Sequence, residues 1–153
     1  MNMRTIIALL LLLTITACSA YRREFDANPP FAPHAVRSFD VEIAWQAERK
    51  DHDIVLAGTV ANRRSGYLRD LELTVRLLDD KGETIAKETI TDFPTYLPAG
   101  KSEPFHLGLR FPADRAPARL RFGYTYRLIE EPPAFRGHDS GEVPRFGTFD
   151  APL

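Results

Sequence analysis

The strongest constraint on the fold is a regular alternation of apolar and polar residues in the middle of the chain. In "FDVEIAWQAE", residues 39–48, every odd position is apolar and most even positions are polar. Successive side chains of an extended strand point to opposite faces, so this pattern predicts a strand with one buried face. The side chains predicted on that face are Phe39, Val41, Ile43, Trp45 and Ala47.

The same alternation recurs along the chain, separated by turn signals such as Gly66, "DDKG" at 79–82 and "LPAG" at 97–100. We predict further strands around residues 54–60, 71–77, 85–90, 105–111 and 119–129, the one at 85–90 being an edge strand. No helix is predicted after the N-terminal segment 1–17. Strands with one apolar face each bury that face best as two stacked sheets, so the predicted fold class is an all-β sandwich, with a small barrel as the alternative.

The N-terminus differs from the rest of the chain. Arg4 is followed by the apolar run "IIALLLLLTIT", residues 6–16, which is too short to cross a bilayer that needs about 20 residues. Small residues then precede Cys18, the only cysteine of the chain. This arrangement is typical of a signal peptide.

Residues 15–18, Ile-Thr-Ala-Cys, resemble the lipobox of bacterial lipoproteins. The resemblance implies cleavage between Ala17 and Cys18 and acyl chains on Cys18, which would anchor the mature chain in a membrane. An ordinary cleaved signal with a chance cysteine is the alternative. In Gram-negative lipoproteins the next residue biases sorting, and Ser19 implies the outer membrane, facing the periplasm, over the inner membrane.

The sequence divides into four predicted parts: a signal peptide at 1–17, a lipidated cysteine and flexible tether at 18–37, a sandwich domain at 38–131 and a Pro/Gly-rich tail at 132–153. The tether segment contains three prolines and no apolar periodicity, and at about 3.1 Å per residue it could reach roughly 60 Å.

The charge of the mature chain argues against a nucleic-acid partner. Removal of residues 1–17 takes away Arg4 and no acid, which leaves 19 basic and 21 acidic side chains and a net charge of −2 with neutral histidines. Nucleic-acid binding usually needs a basic excess. With no cysteine beyond Cys18, we expect packing alone to hold the fold.

A family resemblance is carried by "GTVANRRSGYLRDLELTVRLLDDKGETIAKE" and the following "LPAGKSEPFHL", over roughly residues 39–129. This region resembles the FxLYD family of immunoglobulin-like bacterial domains, with Val75 and Leu78 where the family has Phe and Tyr. The positions that match the family's motifs are Gly58, Val60, Asn62, Leu77, Asp79, Gly82, Pro98, Gly100 and Phe105. The resemblance implies an immunoglobulin-like β-sandwich of about six or seven antiparallel strands and transfers no catalytic residue.

The sequence carries no recognisable catalytic or metal-binding pattern. The four histidines, at 34, 52, 106 and 138, stand in different segments without the paired spacing of metal ligands. Adjacent acids at 79–80 and 130–131 point to opposite sides of an extended chain, whereas an acid and a base must converge on one bond. We therefore expect no enzyme activity, no metal and no cofactor.

Two sets of residues are candidates for contact with a partner. Arg119, Arg121 and Arg127 share the outward face of the last predicted strand and could meet an anion, or could pair with acids such as Glu42 or Glu72. The second set lies in the C-terminal tail.

The large aromatic residues of the predicted strands are assigned to the core. Trp45 is predicted to be in the core, and Tyr124 and Tyr126 to face inward with their hydroxyls partnered or at the rim.

The C-terminal tail holds Phe135, Phe146 and Phe149, which a plain disordered tail seldom keeps. It is predicted to dock on its own domain, either by lying back across the sandwich or with "RFGTFDA" adding as a strand to an edge, or to add to the edge of a partner through the same strand.

These features predict a lipid-anchored envelope lipoprotein whose sandwich is a non-catalytic binding or scaffolding module for another envelope protein or component. The alternative is an accessory or carrier protein that shelters a hydrophobic or lipid ligand between the sheets. An open apolar cavity in the core would favour the carrier, and a filled core would not.

Overall fold

A computed structural model describes residues 24–25, 28–129 and 142–153, and the predicted signal peptide and Cys18 lie outside these residues. The described residues form strands and no helix. The strands are β1 (Glu24–Phe25), β2 (His34–Arg37), β3 (Val41–Lys50), β4 (Asp53–Asn62), β5 (Tyr67–Leu78), β6 (Thr84–Ile90), β7 (Tyr96–Leu97), β8 (Ser102–Arg110), β9 (Arg119–Ile129) and β10 (Val143–Ala151).

The strands form two antiparallel sheets that pack face to face. Sheet A has the order β1-β2-β3-β4-β8, and sheet B has the order β10-β9-β5-β6, with β7 pairing beside β6 on β5. The predicted all-β sandwich is confirmed. The described strands exceed the predicted six or seven because β1, β2 and β7 are short and β10 follows the predicted domain.

The predicted alternation places one continuous apolar core between the sheets. The side chains of Val41, Ile43, Trp45 and Ala47 are buried, as are the inward positions of β4, β5, β8 and β9. Trp45 of sheet A packs against Phe122 of sheet B at 4.7 Å between ring centroids, and Phe122 stacks on Phe149 at 5.0 Å. The prediction of Trp45 as a core residue is confirmed.

Phe39 is the exception to the predicted buried face, because it lies outside the strand. The N–H of Ser38 donates to the carbonyl of Val41, and the N–H of Val41 donates to Oγ of Ser38 at 3.2 Å. These bonds close a turn before β3 begins, and Phe39 is 62% exposed. Its prediction as a core residue is wrong.

The sheets also extend beyond the predicted domain limits of 38 and 131. β2 and β1 lie in the segment predicted as a tether, where β2 pairs with β3 through Val36 opposite Ile43. β10 lies in the predicted tail and pairs with β9 along its whole length. Prolines at 29, 30, 33 and 144 hide these short strands in the sequence, since proline usually interrupts a sheet.

The two ends of the sandwich differ in their connections. We call proximal the end at which the chain enters sheet A, where Glu24 of β1 pairs opposite Arg37. This end carries the β2–β3 turn (38–40), the β4–β5 loop (63–66) and the 98–101 turn. The distal end carries the β3–β4 turn (51–52), the β5–β6 turn (79–83) and the 111–118 loop. Gly82 in the β5–β6 turn has φ of 82°, as the sequence predicted, and this conformation favours glycine.

Candidate functional site

The predicted arginine stripe lies on the outer face of sheet B. Arg121 of β9 donates from Nε to Oδ1 of Asp150 at 2.5 Å and from its second nitrogen to Oδ2 at 2.9 Å. Arg119 lies 3.7 Å from the same carboxylate. The hydrogen bond from Arg121 holds the pKa of Asp150 below its usual value, against the opposing effect of burial. Both arginines are therefore engaged with β10.

Arg127, the third predicted arginine, donates to Glu142 at 3.1 Å, and Arg69 of β5 donates to the other oxygen of the same carboxylate at 2.7 Å. These two cations hold the pKa of Glu142 below its usual value, the Arg127 bond most strongly. The stripe thus pairs with acids, but with Asp150 and Glu142 rather than Glu42 or Glu72. Glu72 faces Thr125 in the register instead.

Asp150 lies in β10 and Glu142 lies directly before it, beyond the predicted domain limit of 131, and this explains why sequence reasoning chose other partners. Glu42 lies in sheet A, where it accepts a hydrogen bond from Arg37 at 2.9 Å and lies 3.6 Å from Arg63. The signal that could have identified Asp150 is the alternation of Gly147, Phe149 and Ala151 with the polar residues Thr148 and Asp150.

The aromatic residues of the predicted tail have different positions. Phe149 is buried in the core, whereas Phe146 is 84% exposed on the outer face of β10, opposite Thr125. Phe135 lies outside the described residues. The expected docking of "RFGTFDA" on its own domain is what β10 does, and it leaves Phe146 as the exposed ring of this strand.

The two tyrosines face inward, and their hydroxyls reach the proximal rim of the core. Tyr124 donates to Oγ of Ser38 at 3.2 Å, and Tyr126 donates to the carboxylate of Asp40. Burial and the bond to Asp40 together raise the pKa of Tyr126 above its ordinary range. These bonds fasten sheet B to the β2–β3 turn of sheet A, so the position of that turn is fixed.

The fixed turn presents Phe39 at the proximal end, a feature that sequence reasoning missed. The guanidinium of Arg64 lies over the Phe39 ring at 4.5 Å and pairs with Asp40 at 3.2 Å. Exposed Arg63 and Lys101 lie at the same end. An exposed ring among cations is a composition suited to an amphipathic surface.

The described residues bring together no group of three or more His, Cys, Asp or Glu side chains that could hold a metal ion. His34 is buried beside Trp45 at 5.4 Å between ring centroids, and His52 meets Phe111 edge-on at 5.9 Å. His106 lies on the outer face of β8, and His138 and the acids at 130–131 lie outside the described residues.

The outer face of sheet A carries an open depression of about 520 Å³. Residues of β3, β4 and β8 and Phe31 line it, and it is open to solvent. Its lining includes Phe31, Gln46, Glu48, Val55, Ala57 and His106.

No helix among the described residues is both long and apolar enough to cross a bilayer. No family model matches the sequence, and neither does any curated protein, so the FxLYD and lipobox resemblances stay predictions.

The solved structures that are similar to this chain include the following two. The GAE domain of GGA2p from Saccharomyces cerevisiae is 12% identical with a TM-score of 0.40, over 86% of this chain and 98% of that one. A beta-glucuronidase from glycoside hydrolase family 2 is 14% identical with a TM-score of 0.35, over 70% of this chain and 11% of that one. At these values neither likeness transfers an activity or a partner to this chain.

Proposed function

We propose that this chain is a lipid-anchored cell-envelope protein whose sandwich is a non-catalytic binding or scaffolding module. The apolar run ending at Ala17, directly before Cys18, supports the anchor. Ser19 supports the outer membrane, with the sandwich in the periplasm. The acyl chains on Cys18 attach the protein to the membrane, and the partner is another envelope protein or envelope component.

The proposal that the sandwich is a binding module rests on the exposure of Phe146. Along the outer face of sheet B, this ring lies between the Arg121–Asp150 pair on one side and the Arg127–Glu142 pair on the other. An exposed aromatic ring with paired charges around it has the composition of a contact hot spot, an apolar centre within a polar rim. The paired arginines define that rim rather than a free anion site.

The carrier alternative needs space between the sheets for a hydrophobic ligand. The rings of Trp45, Phe122 and Phe149 occupy the centre of that space, and the depression on sheet A is open and partly charged. The proposal therefore favours external contact over a sheltered ligand.

The anchor is tested by the variant Cys18→Ser. We expect it to move from the membrane fraction to the soluble fraction, because one sulfur carries the acyl chains that hold the protein. Variant protein that remains in the membrane fraction after a high-salt wash contradicts the anchor.

The contact surface is tested by in-cell crosslinking followed by co-purification. We expect wild type to retain one stoichiometric partner, and Phe146→Ala to lose it while remaining folded and membrane-bound. Asp114→Ala, in the exposed 111–118 loop, is the control and should retain the partner. Equal capture by F146A and wild type contradicts the role of Phe146, and co-purified lipid in place of a protein favours the carrier.

A further inference from the structure

The structure places the sandwich much closer to residue 18 than a free tether does. β1 begins at Glu24, so only residues 19–23 separate it from Cys18. Six Cα–Cα steps of fully extended chain span at most about 20 Å. If Cys18 is lipidated, as the proposed function states, the start of β1 lies within that distance of the membrane surface.

The same strand shows which part of the sandwich is near the membrane. Glu24 pairs opposite Arg37, the residue that leads into the β2–β3 turn, and Phe25 pairs opposite Val36. The chain therefore joins sheet A at the proximal end. β3 runs from Val41 at this end to Lys50 at the other, and ten residues of strand span roughly 30 Å. The distal end is thus one strand length farther from the anchor.

The chemistry of the proximal end suits a lipid head-group layer. Phe39 is 62% exposed, and Val143, at the start of β10 on the same end, is 46% exposed. Phe39 lies in a turn that the Tyr124 and Tyr126 hydroxyls hold in place. An apolar ring on a fixed turn can enter the boundary between head groups and acyl chains without reordering the backbone.

Two exposed cations, Arg63 and Lys101, lie at this end. The neighbouring Arg37 and Arg64 pair with the carboxylates of Glu42 and Asp40, and the acids Asp70, Glu103 and Glu142 also lie near this end. Among the described residues no ion pair is formed by Lys101, and Arg63 lies a long 3.6 Å from Glu42. Cations held near an anionic bilayer are attracted to its surface. Arg63 and Lys101 are therefore the side chains placed to meet lipid phosphates.

We propose that the proximal end of the sandwich docks on the bilayer that holds the Cys18 acyl chains. Phe39 enters the head-group layer, and Arg63 and Lys101 contact lipid phosphates. The sandwich then stands with its distal end directed away from the membrane, and its orientation is set by the protein surface as well as by the anchor.

The test uses the full lipidated chain reconstituted in vesicles of phosphatidylethanolamine and phosphatidylglycerol, with and without lipids brominated near the head group. In the variant Phe39→Trp, the emission added over wild type reports on position 39, and buried Trp45 serves as an internal reference for the fold. Asp114→Trp, in the exposed 111–118 loop of the distal end, is the matched control. Flotation of the vesicles measures anchoring separately.

We expect the added emission of F39W to be largely lost with brominated lipid and that of D114W to be unchanged. We also expect Arg63→Glu combined with Lys101→Glu to reduce the quenching of F39W. Chains that float with the vesicles but show no quenching of F39W, equal quenching of D114W, or no effect of the charge reversals overturn this inference and leave the anchor standing. Chains that do not float overturn the proposed anchor itself.

Discussion

Asn62 is the residue whose polar groups connect the most segments of the proximal end. Its side-chain amide donates to the carbonyls of Gly66 and Leu97 at 2.8 and 2.9 Å, and its Oδ1 accepts from the N–H of Arg64 at 2.8 Å. Its backbone bonds to the 98–101 turn. A fully buried side chain thus holds two loops in place, and one of these loops supplies Arg63 and Arg64.

Replacing Asn62 with Ala removes these side-chain bonds and leaves buried carbonyls without donors. We expect the free energy of unfolding to fall by about 2–3 kcal/mol, since each buried group left unsatisfied costs about 1–3 kcal/mol. Chemical denaturation measures this change. Gln46→Ala, at an exposed position, is the control, and equal midpoints for the two variants contradict the role assigned to Asn62.

Gly147 is required because the ring of Tyr124 crosses the backbone of β10. A Cβ at this position would lie 2.3 Å from Cζ and the hydroxyl oxygen of Tyr124, whereas a Cβ at Gly108 would meet no atom within 4 Å. We expect Gly147→Ala to cost roughly 1–3 kcal/mol by displacing the ring and its bond to Ser38, and Gly108→Ala to cost nothing. Similar stability of the two variants in urea denaturation would show that the ring adapts freely.

At the scale of the element, β10 has a structural role on its inner face and the proposed contact role on its outer face. Phe149 on the inner face packs 5.0 Å from Phe122, while Phe146 on the outer face contributes surface. Substitution of Phe149 is therefore expected to change stability, and substitution of Phe146 is expected to change the proposed contact without changing stability.

We expect Phe149→Ala to lower the free energy of unfolding by about 3–5 kcal/mol through the cavity that it leaves. Phe146→Ala should change it by no more than about 0.5 kcal/mol. Thermal and urea unfolding of the two variants measure both values. If Phe149→Ala unfolds with the same free energy as wild type, the assignment of Phe149 to the core is contradicted.

The β5–β6 turn is expected to weaken in acid. Burial alone would raise the pKa of Asp79, but hydrogen bonds from the N–H groups of Glu83 and Lys81 and the guanidinium of Arg115 lower that pKa below its usual value. A lowered folded-state pKa means that the carboxylate adds stability above the unfolded-state pKa of about 4, and that this stability is lost as pH falls through the folded value.

The variant Asp79→Asn removes this titration. We expect it to be less stable than wild type at neutral pH, and its free energy of unfolding to fall less steeply than that of wild type between about pH 5 and about pH 2. Asp80→Asn, at the exposed neighbour, should follow wild type. Parallel curves for D79N and wild type would refute this role of the carboxylate.

Strands with long regular alternation could be predicted from the sequence, and the core face of β9 from Leu120 to Leu128 is confirmed residue by residue. β2 could not be placed, because four residues give too little periodicity until a neighbouring strand supplies the pairing, and β10 was anticipated only as the strand that "RFGTFDA" could add, not as part of the domain. Phe39 stands at an odd position, as the buried residues of β3 do, but it precedes the first residue of that strand. The arginine stripe was identified from the sequence, but its acidic partners were not, because Asp150 and Glu142 lie in β10 and directly before it.

At the scale of the molecule, the filled sandwich separates three surfaces that have different chemistry. The proximal end carries Phe39 and the exposed cations Arg63 and Lys101, the outer face of sheet B carries Phe146 within paired charges, and the outer face of sheet A carries an open depression. If the proximal end lies on the bilayer, the other two surfaces stand beside the membrane, where a neighbouring envelope component can reach them.

The proposed function and the docking of the proximal end depend on an acylated cysteine at the start of the mature chain. Mass spectrometry of the N-terminal peptide, prepared from protein extracted from native membranes, tests it most directly. We predict that the peptide begins at Cys18 and carries the added mass of a diacylglyceryl group, with or without a further N-linked acyl chain. A peptide that begins elsewhere, or an unmodified Cys18, would contradict the account.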